Sequence, residues 1–238
     1  MARFIMTVDP ARCTGCMACV MACKVNNAVE PDQSRNWVRV TPAGDLPTGM
    51  AFQPGACMHC SEPLCVEACP TGATFVDENC AVQVHNNLCI ACGSCAEACP
   101  YGARHINAGT RRIDKCDYCG DSLVPLGLEP ACVGVCPTRA RIFGDADDPD
   151  SEVAAILGSR RPEFVESRET PTSPRLAYLS EVRDKYWPKA AGIPLAIGLM
   201  APVAAASRWL GGLTLLGLAA VGLRQLFNPS GKEGEGNG

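Results

Sequence analysis

Sixteen of the seventeen cysteines in this 238-residue chain fall into four tetrads, and thiols at such intervals are metal ligands before they are anything else. They read Cys13-x2-Cys16-x2-Cys19-x3-Cys23, Cys57-x2-Cys60-x4-Cys65-x3-Cys69, Cys89-x2-Cys92-x2-Cys95-x3-Cys99 and Cys116-x2-Cys119-x12-Cys132-x3-Cys136. Four thiolates at a time satisfy one cubane [4Fe-4S] cluster, so the sixteen can hold four such clusters. Two other chemistries compete. Four structural zinc sites would also use four thiolates each. A disulfide scaffold fits less well, because tight Cys-x2-Cys-x2-Cys turns gather several thiols at one point instead of bridging distant ones.

The last three tetrads close on one phrase, Cys69-Pro70-Thr71-Gly72-Ala73, Cys99-Pro100-Tyr101-Gly102-Ala103 and Cys136-Pro137-Thr138-Arg139-Ala140. This is an internal repeat. Proline cannot continue a helix, so it stops the chain just after the ligand. The first tetrad departs, with Lys24 in the proline's place. In proteins carrying two such clusters, the fourth cysteine of each run ligates the other run's cluster. Tetrads two and three, near neighbours in sequence, are expected to exchange: Cys57, Cys60 and Cys65 with Cys99, and Cys89, Cys92 and Cys95 with Cys69. Tetrads one and four then pair across the insertion: Cys13, Cys16 and Cys19 with Cys136, and Cys116, Cys119 and Cys132 with Cys23.

The elements that must position these ligands follow from the same repeat. An α+β fold is expected, with two nested ferredoxin-like modules and long loops. The outer module takes residues 1–50 and 111–150, and the inserted one 51–110. Short strands are expected after each Cys-Pro phrase, at Ala73–Val76, Ala103–Ile106 and Ala140–Phe143. Asn36–Thr41 alternates as a strand does. Residues 24–56 and 120–131 otherwise read as loops, rich in Pro, Gly, Asn and Asp. Residues 151–188 read as an extended strap, with one short helix near Ser151–Leu157.

Outside the tetrads the chemistry is sparse. Cys80 lies in the alternating segment Phe75–Val84 and is expected to be a small buried strand residue. His59, inside the second tetrad, either tunes a cluster or serves a structural or solvent-facing role. His85 and His105 have no companion ligand and are given no metal role. Arg12, Lys24, Arg111, Arg112, Lys115 and Arg139 lie beside ligand cysteines. They either raise cluster potentials or form ordinary surface charge. No Ser-His-Asp set, paired carboxylates or glycine-rich phosphate loop is present, so no substrate site and no catalytic residue are expected. A net charge of −4 argues against nucleic acid as a partner. Residues 1–12 lack an apolar core segment or a twin arginine, so no export signal is expected in them.

The carboxy-terminal region changes character. Ala190–Ser207 gives eighteen residues without a charge, and Trp209–Leu223 fifteen more after Arg208. A bilayer core needs about 20 helical residues. Trp187, Trp209 and Phe227 are spaced by 22 and 18 residues, and such aromatics favour the membrane interface. A membrane-anchoring helical hairpin over 189–227 is expected, followed by a disordered tail over 228–238. One tilted helix, or apolar helices covered by a partner, are the alternatives. Arg183, Lys185, Lys189 and Arg224 outnumber Arg208 at the turn, which leans the cluster domain to the cytoplasmic face of the cell membrane. Partner-assisted export to the periplasmic face is the alternative.

The tetrads, the opening MTVDPARCTGCMAC over Met6–Cys19, the segment CMHCSEPLC over Cys57–Cys65 and DKCDYC over Asp114–Cys119 resemble one family. It is the four-cluster electron-transfer subunit of the molybdopterin oxidoreductases, and the resemblance covers about residues 3–145. It implies an electron relay between a molybdopterin-containing catalytic subunit and an integral membrane quinone-interacting subunit. Some relatives replace one ligand and hold a [3Fe-4S] cluster; here every matching position is cysteine, which implies four [4Fe-4S] clusters. The hydrophobic tail departs from the shorter members. A relay polyferredoxin of a hydrogenase or carbon monoxide dehydrogenase system is the alternative reading.

Overall fold

The first strand, β1 (Phe4–Val8), pairs not with its sequence neighbours but with β8 (Arg141–Asp145), the strand that leaves the fourth tetrad. Phe4 stands opposite Asp145 and Val8 opposite Arg141 in an antiparallel register. This ladder sets the strand before tetrad one against the strand after tetrad four. The computed structural model describes residues 2–166, 171–184, 187–189, 192–195 and 197–198. The expected hairpin and tail lie outside the described residues, apart from a few positions between 189 and 198. Among the described residues no helix is long and apolar enough to cross a membrane.

Between β1 and β8 the chain makes the expected succession of short elements. The first helix, α1 (Ala18–Asn26), carries Cys19 and Cys23. A hairpin follows, β2 (Asn36–Pro42) with β3 (Met50–Ala56), Asn36 opposite Ala56. Next come α2 (Leu64–Glu67), the hairpin β4 (Thr74–Val76) and β5 (Val82–Val84), then α3 (Ser94–Glu97) and the hairpin β6 (His105–Asn107) and β7 (Arg112–Asp114). The fourth helix, α4 (Ala131–Gly134), carries Cys132 and leads back to β8. Helix α1 packs on α4, and α2 packs on α3.

Helix length obeys the Cys-Pro rule. α2, α3 and α4 are four residues each and stop just before a Cys-Pro pair. Where Lys24 replaces proline, α1 runs nine residues through and past Cys23. The Lys24 ammonium then donates to the carbonyls of Glu30 (3.0 Å), Pro31 (2.8 Å) and Gln33, pinning the loop beyond.

Three expectations need correction. Residues 24–56 are not loop throughout: α1 extends to Asn26, and β3 occupies Met50–Ala56. Pro54 and Gly55 disguise that strand, yet Pro54 pairs with Val38 on a two-stranded hairpin, where a missing donor costs little. The strands after tetrads two, three and four begin at Thr74, His105 and Arg141, one or two residues later than expected. Cys80 is not a buried strand residue. It is half-buried, with φ of 62°, in the turn between β4 and β5. There Asp77 Oδ1 accepts from the amides of Asn79 (2.9 Å) and Ala81 (2.8 Å).

The strap does more than extend. Its helix α5 (Glu152–Ser159) is capped by Ser151, whose hydroxyl accepts from the Ala154 amide at 3.1 Å. Val153 on α5 is fully buried against Ile5 and Ile142. Its strand β9 (Leu176–Tyr178) pairs parallel to β1, giving a three-stranded sheet in the order β8-β1-β9. Farther along, Trp187 buries against Tyr101 and Tyr178 and donates from Nε1 to the Tyr101 carbonyl (3.1 Å).

Candidate metal centres

The first Cys-x2-Cys turn of each tetrad is built on a left-handed residue at its third position: Gly15 (φ 71°), His59 (44°), Ala91 (55°) and Tyr118 (60°). This conformation turns successive thiols to the same side, at a strain of about 1–2 kcal/mol wherever the residue is not glycine. Gly15 is required for a second reason, since a Cβ there would come within 2.5 Å of the Phe52 ring. A second left-handed position recurs three residues after Cys69, Cys99 and Cys136, at Gly72 (67°), Gly102 (65°) and Arg139 (48°). It aims the following amides at the ligand: Thr74 N–H at Cys69 Sγ (3.5 Å) and Ala140 N–H at Cys136 Sγ (3.3 Å). Burial raises these two thiols, but the amides, with the Thr71 and Thr138 hydroxyls, bring both below the ordinary thiol value.

The thiols gather in four groups. Cys13, Cys16, Cys19 and Cys136 line one cavity, and Cys69, Cys89, Cys92 and Cys95 line another. Cys23 faces Cys119 and Cys132, and Cys116 faces Cys23 and Cys132. Cys60 faces Cys57, Cys65 and Cys99. Among the described residues no three such side chains close on a single metal ion. The thiols ring a space, and the donor set is all sulfur in apolar surroundings with amides directed at it, which fits the cubane cluster. Burial pushes Cys23 and Cys65 up to about 12 and Cys132 to about 11. Deprotonating such thiols is therefore coupled to binding the metal.

The groups adjoin: Cys19 of the first lies within electrostatic reach of Cys132 in the second, and Cys116 of the second within reach of Cys57 in the third. Arg104 faces thiols of both the third and the fourth. Exposure differs: Cys16 and Cys92 are exposed, whereas Cys57 and Cys116, at the join of the second and third groups, are buried.

Known proteins carry the same framework. A 4Fe-4S dicluster domain matches residues 48–146, and a second 4Fe-4S dicluster domain matches 12–73. The thiosulfate reductase electron transfer subunit PhsB of Salmonella typhi is 42% identical over 66% of this chain and 83% of its own length. The B component of polysulfide reductase from Wolinella succinogenes is 38% identical over 73% of this chain and 92% of its own. The B component of tetrathionate reductase from Salmonella typhimurium is 40% identical over 74% and 72%. This protein belongs to the 4Fe-4S electron-transfer subunits of the molybdopterin oxidoreductase family. It is an iron–sulfur electron relay, and its cofactors are [4Fe-4S] clusters.

The tempting residues of this relay subunit sort according to burial. His59 is fully buried at the join, stacked on Tyr118 with ring centroids 3.7 Å apart, and its Nδ1 accepts from the Val82 amide at 3.0 Å. Burial, with Lys115, Arg104 and Arg175 nearby, holds it well below the ordinary imidazole value, so it stays neutral. It is not solvent-facing, and its Nε2 is buried with no hydrogen-bond partner among the described residues. His85 stacks on Phe75, and His105 lies 3.6 Å from Asp114. Arg12, Arg111 and Arg139 are exposed, whereas Lys115 is buried and donates to the Cys116 carbonyl at 2.6 Å. Arg35 ties the loop after α1 to tetrad four through Asp114 (2.7 Å) and Asp117 (3.2 Å). The residues passed over in the sequence are Arg104 and Arg141, both buried among ligand thiols. Their signal was present, since each lies five residues after the last cysteine of its tetrad.

Proposed function

We propose that the relay passes electrons between a molybdopterin-containing catalytic subunit and an integral membrane quinone-interacting subunit. Cys13, Cys16, Cys19 and Cys136 would hold one cluster, and Cys116, Cys119, Cys132 and Cys23 the second. Cys57, Cys60, Cys65 and Cys99 would hold the third, and Cys89, Cys92, Cys95 and Cys69 the fourth. Each cluster supplies a one-electron centre. The protein's own part is to fix the four in a row, keep water from the middle and leave a thiol near the surface at each end. The observation that carries this reading is that Cys57 and Cys116, within electrostatic reach of each other, are buried, whereas Cys16 and Cys92 are exposed. Partners of the stated kind are supported by relatives that are named components of thiosulfate, polysulfide and tetrathionate reductases. Membrane association is part of the proposal, through the partner and the apolar segment 189–227.

The nested ligand exchange makes a sharp test. Cys23 is separated in sequence from tetrad four, yet Cys23→Ser should disturb the site of Cys116, Cys119 and Cys132. Iron should fall from about sixteen to about twelve or thirteen per chain, at four per cubane, with one cluster signal lost. The other three sites should be unaffected. Loss of the signal belonging to Cys13, Cys16 and Cys19 instead would defeat the exchange. Isolation of the native detergent-solubilised complex without a molybdopterin subunit would defeat the partner assignment.

A further inference from the structure

Arg104 and Arg141 occupy equivalent places in the repeat, five residues after Cys99 and Cys136. They are 6% and 1% exposed. Arg104 donates from Nη1 to Thr74 Oγ1 at 3.2 Å, and Thr74 is itself five residues after Cys69. Its Nε and Nη2 have no hydrogen-bond partner among the described residues. Thr74 lines the cavity of the fourth group, and the guanidinium lies within electrostatic reach of Cys95 in that group and of Cys57, Cys65 and Cys99 in the third. Arg141 donates from Nη2 to the carbonyls of Gly55 (3.0 Å) and Trp37 (3.3 Å), and its Nε is unpartnered. It lines the cavity of the first group and faces Cys19 there and Cys132 of the second group. Thiols, not carboxylates, dominate the charged surroundings of both guanidiniums.

A buried cation without a counter-ion is strongly destabilising, so an anion must offset it. Thiolate-ligated sites on either side supply that anion. We propose that Arg104 and Arg141 are bridging cations, one per module, each shared by the two cluster sites of its module and raising the reduction potential of both. Arginine suits the position because it stays charged when desolvated and presents donors in several directions.

This inference rests on the ligand assignment above, and the two can fail separately. The experiment is potentiometric EPR on the anaerobically purified full chain, with each signal assigned through the cysteine variants. Arg104→Met should lower the reduction equilibrium constant of both the third and the fourth sites about tenfold, or about 59 mV for a one-electron couple. The first and second sites should not move. Arg141→Met should do the reverse, and Arg104→Lys and Arg141→Lys should keep most of the potential. Arg12→Met, which removes an exposed charge beside Cys13, should shift nothing. A shift at one site only, equal shifts in the Met and Lys variants, or no shift would overturn the proposal. So would loss of iron from both variants at a position, which would make that arginine purely structural. An unsubstituted protein with far fewer than about sixteen irons, at four per cubane, would instead overturn the ligand assignment.

Discussion

Arg139 shows how one residue can break a repeat and keep its geometry. The equivalent positions are Gly72 and Gly102, and all three backbones are left-handed. A non-glycine residue there costs about 1–2 kcal/mol relative to a relaxed backbone. Arg139 recovers part of this through its contacts with Glu152 and Glu129, but these are exposed pairs, each contributing about 0–1 kcal/mol. Arg139→Gly should therefore be neutral to stabilising by up to about 1 kcal/mol. Urea denaturation of the full chain under anaerobic conditions would read it, and a loss above about 1 kcal/mol would mean the ion pairs dominate. His59, Ala91 and Tyr118 carry the same kind of strain inside the cysteine turns, with no glycine in their place. At the join, stacking of His59 on Tyr118 offsets part of it, since such ring pairs contribute about 0.5–1.5 kcal/mol.

At the scale of elements, the Cys-Pro phrase decides where helices stop. α1 is the exception, and the exception is useful, because Lys24 holds the carbonyls of Glu30, Pro31 and Gln33. Lys24→Pro would impose the rule of the other tetrads on a helix that needs to continue. The expected destabilisation is about 3 kcal/mol or more, since proline removes an internal helical bond and clashes with the preceding turn. The check is an anaerobic denaturation midpoint together with retention of the Cys23-dependent cluster; an unchanged midpoint would show that α1 need not continue. The gathering of thiols into cavities was legible from spacing, because a tight thiol turn has few other uses. The strand after tetrad two and the helix after Ser151 were legible from the Cys-Pro turn and a capping serine. What was hidden had a physical reason. β3 contains Pro54 and Gly55, which ordinarily oppose strands, and its partner β2 lies across a turn of Pro, Gly and Asp. Pairing of β9 with β1 joins Leu176 to Met6, a contact that no local pattern encodes. Cys80 looked like a strand residue because its neighbours alternate, but Asp77 organises a turn there.

For the whole molecule, the nested order does what two separate modules in tandem would not. On the proposed ligand exchange, Cys116 and Cys57, both buried and within electrostatic reach of each other, would be where the two modules meet. The remaining site of each module would then lie outward, with Cys16 and Cys92 exposed. Protection should follow this gradient. Exposed thiolates are the ones that oxidants and competing ligands reach, whereas reaching Cys57 or Cys116 requires the join to open. Exposure of the isolated protein to a mild oxidant with an iron chelator should therefore release iron in two phases, with about eight of sixteen irons leaving first on the four-iron count of each cubane. Alkylation and mass mapping during the fast phase should mark Cys16 and Cys92 well ahead of Cys57 and Cys116. Binding of the catalytic and membrane partners at the two ends should slow the fast phase and leave the slow one unchanged. A single phase, or early labelling of Cys116, would mean that the join is no more closed than the ends, and the row would lose its protected middle.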